Sequence, residues 1–254
     1  MKIIAFSNQK GGVGKTTTVV NLGVAMAVKG KKILAVDLDP QAHLTSAYGI
    51  NPDDLEVTIH DVFRDASKAR EAVIKIERVG AELWLLPSSL NFSGADLEFA
   101  GVHGREYLLK DALEQLDDDY DYILIDCPPT LSLLTINALT AATDIYIPLQ
   151  TEYLSMQGMS QMIKIIEVVQ KRMNPDVHIT GVIGTMYDGR QNLDRQVLEK
   201  VQTHFSKLIF DTVIRKSVKL AEAPSSHQDI FTYDPTNKGA EDYKALADEI
   251  IERR

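Results

Sequence analysis

Ser7-Asn8-Gln9-Lys10-Gly11-Gly12-Val13-Gly14-Lys15-Thr16-Thr17 stands between a short apolar run, Lys2-Ile3-Ile4-Ala5-Phe6, and a helix-like stretch beginning at Thr16. Strand, glycine-rich turn and helix in that order make a cradle for a polyanion. Glycines at 11, 12 and 14 let backbone N–H groups converge with no Cβ in the way, and the helix brings its positive dipole end to the same point. Lys15 is placed to reach the outer phosphates of a nucleotide, and the Thr16 hydroxyl to take a coordination position on Mg²⁺. The spacing departs from the standard phosphate loop. Gln9 stands where an early glycine is expected, and a second lysine, Lys10, has entered the turn.

Outward from this loop the chain alternates apolar, β-branched runs with segments of helical periodicity. The runs at 3–7, 32–37, 83–86, 122–126, 145–149, 178–185 and 208–213 read as strands, most of them unbroken and hence buried on both faces. Apolar residues at three- and four-residue steps predict helices over 16–29, 104–116, 131–142, 156–173, 193–205 and 237–251, the last closing the core. This pattern predicts one α/β domain over 1–254, a mainly parallel twisted sheet flanked by helices on both faces. Residues 51–79, opening on the turn sequence Asn51-Pro52-Asp53-Asp54, read as an irregular excursion.

Composition removes whole classes. With 44% hydrophobic and 25% charged residues in 254, the chain is neither a disordered nor a fibrous protein. A lone cysteine, Cys127, excludes an internal disulfide and a multi-cysteine zinc or iron–sulfur cluster, and reads as a buried structural thiol in a reducing cytosol. The six histidines lack metal-ligand spacing, and no apolar stretch is long enough to span a membrane. A net charge of −9 argues against indiscriminate polyanion binding, so any nucleic-acid contact needs a local basic patch.

Three carboxylates sit where an open parallel sheet presents its ligand crevice. Asp37 and Asp39 close the second predicted strand before Pro40, and Asp126 ends the run Tyr122–Ile125, placed to hold Mg²⁺ through water. Asp37 and Asp39 also admit the plainer reading of helix-cap or turn aspartates.

Lys10-Gly11-Gly12-Val13-Gly14-Lys15-Thr16-Thr17 resembles the deviant phosphate loop of the ParA/MinD superfamily. The likeness continues through Val36-Asp37-Leu38-Asp39-Pro40-Gln41, Ile123-Leu124-Ile125-Asp126-Cys127-Pro128-Pro129, Leu220-Ala221-Glu222-Ala223-Pro224-Ser225 and Tyr233-Asp234-Pro235. The short, Soj-like ParA branch matches best. The resemblance implies a single-domain P-loop NTPase-like fold that binds ATP and Mg²⁺, forms a homodimer with ATP and hydrolyses it slowly. It gives Lys10 a role in trans on the partner's phosphates, Asp39 the attacking water and Asp37 the outer shell of the metal. Gly11 to Thr17, with Met186 and Arg215 nearer the base, complete the nucleotide contacts. Relatives usually show Pro-Arg where this chain has Arg215-Lys216.

Between Arg190 and Lys219 there are seven basic and three acidic residues, a local excess of positive charge on an acidic chain. The family binds nonspecific double-stranded DNA through positions matched here to Arg190 and Lys219, with Lys216 beside them, and is released by a ParB-type partner. The implied setting is cytoplasmic and nucleoid-associated, with no membrane role because 245–254 lacks a basic amphipathic face. A phosphate loop within ten residues of Met1 leaves no room for an N-terminal helix-turn-helix. Two other functions share these motifs: a nucleotide-gated adaptor positioning a protein cargo, and a metabolic ATP-dependent ligase.

Overall fold

The computed structural model describes residues 1–116, 119–151, 155–205 and 208–253. Its strands are β1 (Lys2–Phe6), β2 (Ile33–Asp37), β3 (Ile74–Arg78), β4 (Ala81–Leu86), β5 (Tyr122–Asp126), β6 (Asp144–Gln150) and β7 (His178–Thr185). They form one sheet in the order β3-β4-β2-β5-β1-β6-β7. Every pairing is parallel except β3 with β4. The helices are α1 (Lys15–Val28), α2 (His43–Ala47), α3 (Ile59–Arg64), α4 (Ala69–Ala72), α5 (Ala95–Glu98), α6 (Leu108–Glu114), α7 (Leu133–Ala141), α8 (Ser155–Arg172), α9 (Asn192–Phe205), α10 (Val218–Glu222), α11 (Ile230–Tyr233) and α12 (Lys238–Glu252).

The central strands β2 and β5 are buried at every residue because both faces are covered. Successive side chains divide between two cores. Leu34, Val36, Ile123 and Ile125 pack with α3, α6, α7 and α8, while Ile33, Ala35 and Leu124 pack with α1 and α12. The closing helix is capped by Asn237, whose Oδ1 accepts from the Gly239 N–H at 2.9 Å. It lies against α1, where the Tyr243 and Thr18 hydroxyls are 3.2 Å apart.

Two sequence expectations are corrected. Residues 208–213 form no strand. Their backbone follows β7 with bonds from Val182 to Leu208 (2.7 Å) and from Phe210 to Val182 (3.0 Å), but the pairing is then interrupted and resumes only where the Ile214 N–H donates to Gly184 O at 2.8 Å. The next two N–H groups, of Asp211 and Thr212, donate instead to the Glu249 carboxylate at 2.8 and 2.9 Å. The stretch 51–79 is not irregular: it holds α3, α4 and the edge strand β3. Lys75 and Glu77 alternate with Ile74 and Ile76, since an edge strand with one wet face lacks the apolar run of its buried neighbours. A two-residue turn at Val79 (φ 51°) and Gly80 (φ 74°) reverses it into β4.

Gly181 in β7 is required by packing. A Cβ there would overlap Phe210 Cε2 and come within 2.8 Å of Tyr146 Cδ1. Gly181→Ala is expected to lower unfolding free energy by about 2 kcal/mol, the usual cost of overpacking, measured by urea denaturation.

Candidate active site

The carboxyl ends of β1, β2 and β5 open into a cleft of about 1040 Å³. Its floor is the 8–17 loop, one lip carries Asp39, Pro40 and Gln41, and the far wall comes from α10 and the following turn. Gly12 (φ 73°) and Gly14 (φ 88°) take the left-handed conformation, and a Cβ at Gly11 or Gly12 would touch nothing. The inner side of the turn is therefore open, with α1 starting directly after it at Lys15. Two residues not singled out from the sequence hold the turn. Asn8 donates to Pro148 O at 2.8 Å and accepts from the Lys10 N–H at 3.0 Å, and Thr185 Oγ1 donates to Val13 O at 2.8 Å. Both act across the sheet on partners far away in sequence, so local pattern does not reveal them.

The two lysines diverge. Lys15 is buried, its Nζ donating to Asn8 O at 3.0 Å and Lys10 O at 3.4 Å. Burial pulls its pKa down, with Asp126 opposing the shift. Lys10 reaches the other way, and its Nζ donates to Gln150 Oε1 at 3.1 Å.

Opposite Lys15, Asp37 and Asp126 are direct neighbours in the β2–β5 register. Both are fully buried. Burial, above all, pushes Asp37 up to about 7, and burial followed by the charge of Asp37 pushes Asp126 well up. Asp126 Oδ2 accepts from Thr16 Oγ1 at 2.6 Å, while its Oδ1 is buried with no hydrogen-bond partner. Asp37 spends Oδ2 on the Thr45 N–H and hydroxyl (2.8 and 2.7 Å) and Oδ1 on the Asp39 N–H (3.2 Å). Asp39 itself is half-buried at the lip, where its Oδ1 accepts from the Gln41 N–H at 2.9 Å.

These residues suit a magnesium nucleotide. An unpaired buried carboxylate oxygen beside a hydroxyl gives two positions for a hard cation that keeps phosphate and water ligands. Among the described residues, no group of three or more His, Cys, Asp or Glu side chains makes a metal cage of protein alone. Cys127 is buried in the core, and burial drives its thiol upward, away from reactivity.

The remaining candidates divide. Met186 lines the cleft in a left-handed conformation (φ 54°). Arg215 also lines it, yet its guanidinium is committed to Asp242, with Nη2 2.6 Å from Oδ1, and to Glu241 at 3.1 Å. Lys216 is exposed at the rim, and its N–H donates to Tyr187 O at 3.0 Å, which sets the 186–190 turn beside the 214–219 segment. Arg190 is 90% exposed and paired with Asp188 at 2.8 Å, and Lys219 is paired with Glu222 at 3.0 Å. No helix is long and apolar enough to cross a membrane among the described residues.

Residues 1–179 match the AAA domain family. The chain is 47% identical to the sporulation initiation inhibitor protein Soj of Bacillus subtilis, over 98% of each chain. It is 40% identical to the chromosome partitioning protein ParA of Caulobacter vibrioides, over 100% of this chain and 95% of that one. Among solved structures it superposes with TM-score 0.87 on a Mycobacterium smegmatis protein named cobyrinic acid a,c-diamide synthase, bound to ADP and magnesium. That match has 37% identity and covers 99% and 94% of the two chains. It superposes with TM-score 0.80 on the cell division ATPase MinD of Pyrococcus furiosus, 27% identical over 100% and 99%. A glycine cradle between two lysines, on a seven-stranded mainly parallel sheet and with relatives of this identity along its whole length, places the chain in the ParA/MinD superfamily of deviant phosphate-loop ATPases, on its Soj-like branch.

Proposed function

We propose that the protein is an ATPase switch that binds Mg-ATP in this cleft, pairs with a second copy, and holds DNA nonspecifically to partition chromosomal or plasmid DNA with a ParB-type partner. The observation carrying the reading is the open glycine cradle facing Lys15, Thr16 and the unpaired Asp126 Oδ1. Backbone N–H groups of Gly11 to Thr17 bind the phosphates, with Lys15 turning from the loop carbonyls to the outermost. Thr16 and Asp126 hold the cation, Asp126 through water, while Asp37 stays in the outer shell. Bound Mg²⁺ supplies neutralising charge on the phosphate oxygens. Asp39 orients the attacking water, and Lys10 crosses to the partner's phosphates, because two ammonium groups flanking one tight turn do not fit along a single triphosphate. Met186 and the backbone at Arg215 border the base. Phosphate release measured with ATP and Mg²⁺, alone and with DNA plus a ParB-type protein, tests the reading. Slow release stimulated by both supports it, and no release in any mixture overturns it.

Arg190, Lys216 and Lys219 form the DNA face, in a cytoplasmic, nucleoid-associated protein. The Arg190 and Lys219 pairs with Asp188 and Glu222 are exposed and open readily to phosphate contacts. Arg190→Glu with Lys219→Glu is expected to weaken binding to random duplex by about a hundredfold in ATP at low salt and to flatten its salt dependence. A salt-titrated anisotropy assay measures both effects.

The name of the Mycobacterium smegmatis structure favours a second reading, a metabolic ATP-dependent ligase. A ligase consumes ATP only in the presence of its metabolite, so turnover stimulated by DNA without one excludes it.

A further inference from the structure

Helix α2 spans only five residues, too short to stand alone, and begins directly after the Asp39 lip. Its carboxyl end is fastened by Arg78 Nη2 to Tyr48 O at 2.7 Å and by His227 Nδ1 to Ser46 O at 2.8 Å. At its middle residue, Thr45, the helix is attached to the sheet. Thr45, fully buried, donates its hydroxyl to Asp37 Oδ2 at 2.7 Å, and its own Oγ1 accepts from the Ser88 N–H at 3.0 Å. That hydroxyl joins the ends of β2 and β4 to the helix between them. Asp37, so held, turns its other oxygen to the Asp39 N–H at 3.2 Å, and the Ala42 N–H closes the lip onto Asp39 O at 2.9 Å. The chain of bonds runs without a gap from β4 to the backbone of Asp39.

We propose that Thr45 is a positioning residue for hydrolysis: its hydroxyl locks Asp37 away from rotation and thereby sets where Asp39 presents its carboxylate to the attacking water. The proposal rests on the ATPase reading above and assigns a function to a residue that touches neither nucleotide nor metal. Thr45→Val keeps the shape, and the backbone N–H bond to Asp37, while deleting both hydroxyl bonds. Misplacing a water-orienting group by a fraction of an ångström is expected to lower single-turnover phosphate release about thirtyfold. Affinity for a fluorescent ATP analogue stays within about twofold, because the phosphate loop is untouched. Thr45→Ser, which restores the hydroxyl without the methyl, recovers the wild-type rate.

Unchanged phosphate release in Thr45→Val overturns the proposal. So does a parallel loss of affinity and rate that Thr45→Ser fails to restore, the behaviour of a residue that only packs. Should Thr45→Val not fold, Thr45→Cys replaces it: its weak S–H donor gives an intermediate rate, and a wild-type rate there is equally fatal. A wild-type protein releasing no phosphate under any condition overturns the ATPase reading itself, whereas normal wild-type turnover with an unaffected Thr45→Val removes this inference alone.

Discussion

Lys10→Ala is expected to lower hydrolysis at least a thousandfold and to abolish ATP-dependent pairing, while the variant still binds nucleotide. Groups that neutralise transition-state charge from a neighbouring subunit contribute about 10³ to 10⁵ in rate. Binding is expected to survive because, on the proposed reading, Lys15 and the glycine N–H groups receive the phosphates within one chain, and Lys15 Nζ bonds the Lys10 carbonyl rather than its side chain. In the isolated chain the Lys10 ammonium donates to Gln150 Oε1, so engaging a partner means giving up that bond for contacts with phosphate oxygens. Gel filtration with ATP and Mg²⁺, beside single-turnover phosphate release, measures both effects. A Lys10→Ala protein that pairs and turns over like wild type removes the role in trans.

Asp39→Ala separates binding from chemistry in the other direction. Losing a group that orients the attacking water is expected to slow hydrolysis about 10² to 10⁴-fold with ATP affinity kept. The ATP-bound pair therefore accumulates and stays on DNA, seen as a larger species that no longer dissociates over time. The substitution is local in its structural consequences. It deletes the acceptor for the Gln41 N–H but leaves the residue 39 N–H, which donates to Asp37, in place. Normal turnover in this variant would return Asp39 to the plainer role of a turn aspartate.

Asp39 lines the cleft while the Lys10 side chain reaches away onto Gln150, so the two substitutions bear on different steps. A double variant that binds ATP, stays single and turns nothing over follows if pairing precedes the water step. Arg190→Glu with Lys219→Glu is expected to leave ATP-dependent pairing and unstimulated hydrolysis intact and to weaken only the hold on DNA.

How legible the molecule was in its sequence depends on distance along the chain. The phosphate loop, its left-handed glycines and the helix that follows occupy consecutive residues whose backbone preferences suffice. The buried strands β2 and β5 were equally plain, since coverage on both faces demands unbroken apolar runs. Strand β3 was not, because its exposed face carries Lys75 and Glu77, and the 208–213 run misled because its strand-like pattern loses to a carboxylate from α12.

The sequence by itself determined a nucleotide-type cradle at the end of the first strand, an α/β alternation around it, and acidic residues at the ends of two further strands. All are set by local backbone geometry and hydrophobic period. Only tertiary structure decided what those side chains face. It put Asp37 against Asp126, 89 residues away, and left one oxygen of Asp126 without a partner. It turned the Arg215 guanidinium onto Asp242, set Lys10 on Gln150, and tied Asp37 to Ser88 through Thr45. A side chain's partner is whatever the fold brings within about 3 Å, and strand order, not sequence neighbourhood, governs that.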